Sequence, residues 1–251
     1  MEEFRLIRTI EASGAVQMAI DEAILTARIR NLVPNTLRFF TWKPPCVTIG
    51  FFQSLEQEVD VKKARELGVD IVRRYTGGGA VFHDKELTYS IVLSEKEASA
   101  DIIESYKKIC GGIVSGLETL GIKAEFKPIN DIVVNGKKIS GSAQTRKGGI
   151  ILQHGTILMD TDVKKMFSLL KVPDEKFRDK MIKAAQERVT SLKTEAGREI
   201  NRKELENAIV SGFGNVFGAR FSEGRLTKEE TKLAERLQKG KYSTKDWCCW
   251  R

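Results

Sequence analysis

The chain has 251 residues, 41% of them hydrophobic and 30% charged, with five prolines and 21 glycines at no fixed period. That composition excludes a disordered or collagen-like chain and supplies enough apolar material for a full core in one large domain or two modest ones. Forty-two Lys and Arg against 34 Asp and Glu leave a net charge of +8, which fits either an anionic partner or a plain lysine-rich surface. No apolar run reaches membrane-spanning length, so no membrane association is expected. The acidic start, residues 1–5, does not read as a secretory leader. Lys and Arg do not cluster with aromatics as in a nucleic-acid-binding stripe, so no nucleic-acid partner is expected either. Four cysteines (Cys46, Cys110, Cys248 and Cys249) are too few and too unevenly spaced for a disulfide framework, and a reducing, cytoplasmic setting is expected.

In chain order, residues 4–9 read as a strand. Ser13 then caps a helix in which Val16, Ala19, Ile20, Ala23, Ile24 and Ala27 recur at helical spacing. Residues 36–42 and 46–50 are strand-like on either side of Pro44-Pro45, a pair that no ladder interior tolerates. Asp60 caps a short helix that stops at Gly68. Residues 70–74 form a strand running into Thr76-Gly77-Gly78-Gly79-Ala80, after which 80–83 and 87–93 read as a returning pair. Residues 102–120 carry Tyr106, Ile109, Cys110, Ile113, Val114, Leu117 and Leu120 on one helical face, and Gly121 ends that helix. Asn135-Gly136 between residues 132–134 and 138–143 predicts a hairpin with a type I′ turn, and 150–159 resumes as a strand. Helices are predicted over 162–170, 174–185, 202–214 and 227–238. Helices scattered among hairpins, with no repeat or linker, predict one α+β domain over 1–251, with mostly antiparallel sheets flanked by helices.

Two stretches carry chemistry. In Arg73-Arg74-Tyr75-Thr76-Gly77-Gly78-Gly79-Ala80, three glycines let a ligand approach the backbone and offer successive N–H groups to an anion. Two arginines just upstream could fork onto phosphate or carboxylate oxygens. A flexible turn with solvated arginines fits the same residues. The run is neither a Walker loop nor a dinucleotide fingerprint. In the second stretch, Asn130 to Ala143, strand alternation puts Lys138, Ser140 and Ser142 on one face, over a floor of small residues suited to a ligand. The alternative there is a surface hairpin with a solvated lysine pair. His83 and His154, the two histidines, lack metal-ligand spacing. His83 either helps bind phosphate or ends a strand, and Asp131 is a Mg²⁺ or acyl-lysine contact or a hairpin cap.

Together these stretches resemble the lipoate–protein ligase A family (large catalytic domain), of the biotin/lipoate protein ligase superfamily. The matching residues are Arg73-Arg74 with Thr76 to Asp84, Asn130-Asp131-Ile132, and Gly136 to Ala143, supported by His154-Gly155-Thr156 and by residues 171–178. The resemblance covers roughly residues 4–245. It implies a biotin/lipoyl ligase-like catalytic domain that joins lipoate to Mg-ATP as lipoyl-adenylate, with no resident cofactor. The acyl group would then pass to a lysine on acceptor domains such as 2-oxoacid dehydrogenase E2 subunits or the glycine cleavage H protein. By residue match, Lys138 is the catalytic lysine. Arg73, Arg74, Gly77, Gly78, Gly79, Ala80, Val81, His83, Asp131 and Lys138 fall at ATP or adenylate positions, with Asp131 also the Mg²⁺ contact. Lys138, Gly79, Ser140, Gly141 and His154 fall at lipoyl positions, and 171–178 matches the loop that covers the adenylate.

The match has two departures. Lys85 to Ser90 replaces the usual Gly-Asn after His-Asp, and Gly141 to Arg146 with Leu152 to Gly155 looks more like the sister octanoyltransferases. Those enzymes use a cysteine nucleophile, shortly before the lysine hairpin, and no ATP. No cysteine occurs from Gly111 to Trp247, and the glycine triplet that the transferases usually break is intact, so the ligase is expected. The second departure is the absence of the small C-terminal domain of many ligases. The expectation is either a separate accessory subunit or a degenerate or transfer-only relative, and the terminal tryptophans, Trp247 and Trp250, either dock another protein or tuck back onto the chain's own core. A non-catalytic binder of acceptor domains is the reading from a different class.

Overall fold

The computed structural model describes residues 2–8, 11–171 and 175–250. Its strands are β1 (Glu2–Ile7), β2 (Glu11–Ala12), β3 (Thr36–Trp42), β4 (Cys46–Ile49), β5 (Asp70–Arg73), β6 (Val81–His83), β7 (Glu86–Ser94), β8 (Glu125–Lys127), β9 (Asp131–Val134), β10 (Lys137–Lys147), β11 (Ile150–Leu158) and β12 (Ala219–Glu223). Its helices are α1 (Gly14–Ile29), α2 (Leu55–Glu58), α3 (Val61–Glu66), α4 (Ile102–Thr119), α5 (Val163–Leu169), α6 (Arg178–Arg188), α7 (Leu192–Ala196), α8 (Arg202–Phe217), α9 (Lys228–Leu237) and α10 (Lys245–Cys248), with a π-helical turn at Gln238–Tyr242.

The large sheet runs β12-β1-β3-β7-β11-β10-β9-β8, with β2 beside β3, and a small sheet runs β5-β4-β6. The parallel pairs are β1 with β12, β1 with β3, β2 with β3 and β4 with β5; the rest are antiparallel, as an α+β fold of this kind requires. Alternation along the strands separates the faces. From β7, Leu87, Tyr89, Ile91 and Leu93 enter the core against Ile109, Ile113 and Leu117 of α4 and Leu205, Ile209 and Phe213 of α8. The opposite face meets α1, whose Ile24 and Leu25 pack on Val92 and Leu152 while Met18 and Ala23 pack on Phe40 and Trp42. Phe213 is wholly buried, and its truncation to Ala would cost about 3–5 kcal/mol.

Local signals explain most boundaries. Asn135 and Gly136 both take positive φ (51° and 75°), as a type I′ turn demands, and Asp60 accepts from the Lys63 N–H at the start of α3. Three expectations need correction. Ser13 makes no side-chain cap; the Gly14 N–H is instead satisfied by Asp70 at 3.1 Å. Residues 80–83 and 87–93 are not a returning pair, because β6 joins β4 in the small sheet while β7 joins β3 and β11 in the large one. Lys138 does not share a face with Ser140 and Ser142, because a bulge between Lys138 and Ser140 shifts the register. The predicted strand end at Thr9 and part of the predicted 174–185 helix fall outside the described residues.

Candidate active site

The cavity that opens between the two sheets holds about 370 Å³. Met18, Phe40 and Trp42 give it an apolar wall, and Phe82, Val163 and Met166 line it as well. Arg74, Lys138, His83 and His154 supply cations and imidazoles, and the loop 78–81 forms part of its rim. Such a cavity suits a ligand with an apolar chain and an anionic end.

Its polar floor follows from sheet register. Arg38 pairs across to Ser90, and Ser90 to His154, so the three stand side by side on the face covered by α1. Asp21 of α1 drops onto them. Its carboxylate accepts from Arg38 (2.7 Å) and Ser90 (2.8 Å) and lies 3.0 Å from His154 Nδ1. Burial alone would raise the Asp21 pKa, but the His154 hydrogen bond and the Arg38 charge overcome it and hold the carboxyl below its ordinary value. Burial pushes His154 down despite Asp21, which makes the imidazole neutral at pH 7. With Nδ1–H given to Asp21, Nε2 accepts from the Thr76 hydroxyl at 2.7 Å. The chain from α1 therefore ends on the residue before the glycine triplet.

A second buried set surrounds His83. Its Nδ1 lies 2.6 Å from Glu86, its Nε2 lies 2.9 Å from the Thr48 hydroxyl, and its ring stacks on Trp42 at 4.2 Å. Trp42 donates to Thr88 and Thr88 to Glu86, both at 2.8 Å. Arg74 reaches Thr48 and turns back to the Gly77 and Gly79 carbonyls at 2.6 and 2.8 Å. Burial lowers its pKa to about 10, still a full cation at pH 7. Those contacts hold the loop by its carbonyls. The N–H groups of Gly77, Gly78, Gly79 and Ala80 donate to no described residue, which leaves them for an anion.

Lys138 Nζ lies 2.6 Å from Asp131 and passes directly over Gly141, where a Cβ would come within 2.7 Å of Cε and Nζ. The bulge thus turns the lysine onto the one residue of this strand too small to obstruct it. Of the predicted residues, Arg74, Gly78, Gly79, Ala80, Val81, His83, Lys138, Gly141 and His154 line the cavity. Asp131 stands behind Lys138, and Gly77 contributes its carbonyl to Arg74. Ser140 is fully buried and does not line the cavity. Arg73 is also fully buried and does not line the cavity; its guanidinium donates to the carbonyls of Gly50, Phe51, Gln53, Trp247 and Cys248. Of the expected covering loop, residues 172–174 lie outside the described residues, and Phe177 is 51% exposed. Sequence reading missed Asp21, Thr48, Trp42 and Glu86. Gln17, Asp21 and Ile24 do fall on one helical face, which was the available signal for Asp21.

No cysteine lines the cavity, although all four are described. Cys110 lies beneath it, 3.9 Å from Ser142, where burial pushes its thiol up to about 11. Among the described residues no three His, Cys, Asp or Glu side chains converge as metal ligands, and no helix is long and apolar enough to cross a membrane.

The comparisons agree on family and differ on activity. Octanoyltransferase LipM of Kyrpidia tusciae is 40% identical over 98% of both chains. The solved bi-partite lipoate protein ligase of Thermoplasma acidophilum superposes with a TM-score of 0.90 at 34% identity, covering 99% of this chain and 96% of that one. A lipoate-protein ligase A bound with ATP gives a TM-score of 0.85 at 32% identity over 99% of both. The sequence model of the lipoyl protein ligase A/B catalytic domain matches residues 13–214, and the chain belongs to that family of ligases and acyltransferases.

Proposed function

We propose that this chain is the adenylate-forming member of the pair: it activates lipoate with Mg-ATP and transfers the acyl group to a lysine of an acceptor domain. The observation that carries this reading is the absence of any thiol from a cavity that offers Lys138, Arg74 and free loop amides. Transfer through an acyl-enzyme needs an activated nucleophile, and a buried Cys110 pushed up to about 11 is a thiol, not a thiolate.

The acyl chain lies along Met18, Phe40 and Trp42, with its carboxylate toward Lys138. Attack of that carboxylate on the α-phosphorus expels pyrophosphate. Lys138 and the loop amides meet the charge that builds on the phosphoryl oxygens, already oriented before reaction. The acceptor amine then attacks the acyl carbonyl, Lys138 steadies the oxyanion, and AMP leaves. Mg²⁺ comes with ATP as part of the substrate; Asp131, the expected contact, pairs with Lys138 through Oδ1, which leaves Oδ2 for the metal. By likeness to the bi-partite ligase, which was solved in a study of that ligase and its E2 lipoyl domain, the acceptor is a lipoyl domain and a second polypeptide completes the ligase.

The name of the LipM relatives favours a second reading, octanoyl transfer without ATP. The two separate when the chain is incubated with lipoate, Mg-ATP and an apo acceptor domain, with octanoyl-thioester as the rival donor. Pyrophosphate release and an ATP-dependent mass gain are expected. A gain from the thioester alone would replace this reading with the second.

A further inference from the structure

Glycine triplets do not order themselves, since each glycine carries about 0.5–1 kcal/mol more backbone entropy cost than alanine. An anion cradle made of them therefore takes its rigidity from its flanks. Here Arg74 holds the loop from inside and His154 holds Thr76. The segment 238–248 reaches the remaining two, Tyr75 and Arg73, the latter also held by the Gly50, Phe51 and Gln53 carbonyls. Arg73 donates to the Trp247 and Cys248 carbonyls at 3.0 and 2.8 Å, and Trp247 Nε1 donates back to the Arg73 carbonyl at 2.9 Å. Lys241 ties the other. Its ammonium lies 4.6 Å from the Tyr75 ring and 4.1 Å from the Trp247 ring, and it pairs with Glu22 at 2.7 Å. Glu22 also accepts from Tyr242 at 2.5 Å. Helix α1 thus grips the loop twice, through Asp21 to Thr76 and through Glu22 to Tyr75.

We infer that Lys241 and Trp247 are positioning residues for nucleotide binding: they fix Arg73 and Tyr75 so that the loop amides stay aimed at phosphate. This rests on the adenylation reading above. The ammonium clamped among the Tyr75, Tyr242 and Trp247 rings and the Glu22 carboxylate is the joint whose loss should loosen the loop without opening the core.

The test compares Lys241→Met, Lys241→Arg and the exposed, equally charge-changing control Lys239→Met. Mg-ATP and lipoate affinities are measured by calorimetry, and amide exchange of residues 75–81 is followed without nucleotide. Lys241→Met should weaken ATP binding about tenfold and speed exchange in the loop, with lipoate affinity and exchange in α4 and α8 unchanged. Lys241→Arg should recover most of both effects, and Lys239→Met should match the parent. Parental exchange and ATP affinity in Lys241→Met, or the same loss in Lys239→Met, would overturn the inference. A parent that binds no ATP would instead defeat the adenylation reading, and the exchange comparison would still decide whether the segment orders the loop.

Discussion

Replacing Gly141 by Ala separates the chemistry from the fold. The backbone at Gly141 is not in the left-handed region, so alanine fits its φ, but the added Cβ lies 2.7 Å from Lys138 Cε and Nζ and 3.4 Å from Asp131 Oδ1. The strand cannot retreat easily, because Ser142 N–H is bonded to the Asn130 carbonyl at 3.0 Å and β10 is paired on both sides. The lysine end must move, and an ordinary carbon contact of about 3.5–4.0 Å requires a shift of roughly 1 Å. Misplacement on that scale costs on the order of 100-fold, or about 2.7 kcal/mol of barrier. Stability should change by less than about 1 kcal/mol, since the half-exposed lysine is flexible and Ala relieves the glycine entropy cost. Acceptor mass gain from supplied lipoyl-adenylate reads the first effect, and a urea titration reads the second. Parental transfer rates would refute the placement of Lys138 over Gly141, and marked unfolding would show that the backbone rather than the lysine absorbs the methyl.

Arg73→Gln should cost about 3 kcal/mol or more in a denaturant titration, because buried carbonyls lose their donor; a weakened ATP affinity at unchanged stability would restore Arg73 as an anion ligand. Stability should fall as pH drops below about 6.5, because the unfolded chain protonates His154 before the folded one does, and again below about 3.9 as unfolded-chain carboxyls outcompete Asp21. Flat stability from pH 7 to 5 would mean that His154 is not held neutral. Pyrophosphate release by the chain alone should be slow and rise on adding the second polypeptide of a bi-partite ligase, while transfer from supplied adenylate should not change; rapid turnover by the lone chain would remove the need for a partner.

The sequence made legible whatever local chemistry decides. Asn135-Gly136 specified its turn, and the apolar face of 102–120 specified α4. The glycine triplet and Lys138 were visible because few folded contexts need those residues in that order. What long-range pairing decides was not legible. The bulge at Lys138 depends on partners in β9, and the separation of β6 from β7 depends on which strand each meets. The burial of Arg73 was hidden because its carbonyl partners, at 50, 51 and 53 and at 247 and 248, are distant in sequence. Asp21 was hidden for the same reason, since its meaning comes from Arg38, Ser90 and His154 on three different strands.

The two tryptophans near the end of the chain divide between the alternatives. Trp247 tucks back onto Arg73 and Lys241, whereas Trp250 stays 43% exposed against Phe51.

The central claim is that acyl transfer here runs through Lys138 without a thiolate. It is tested most directly by a chain in which Cys46, Cys110, Cys248 and Cys249 are all replaced by Ser or Ala, verified as folded. Its transfer of the acyl group from lipoyl-adenylate to an apo acceptor domain is then followed by intact mass beside the parent. The account predicts equal rates for the two chains and no acyl adduct on the parent enzyme. Loss of transfer in the folded cysteine-free chain, with a thioester adduct trapped on the parent, would contradict it.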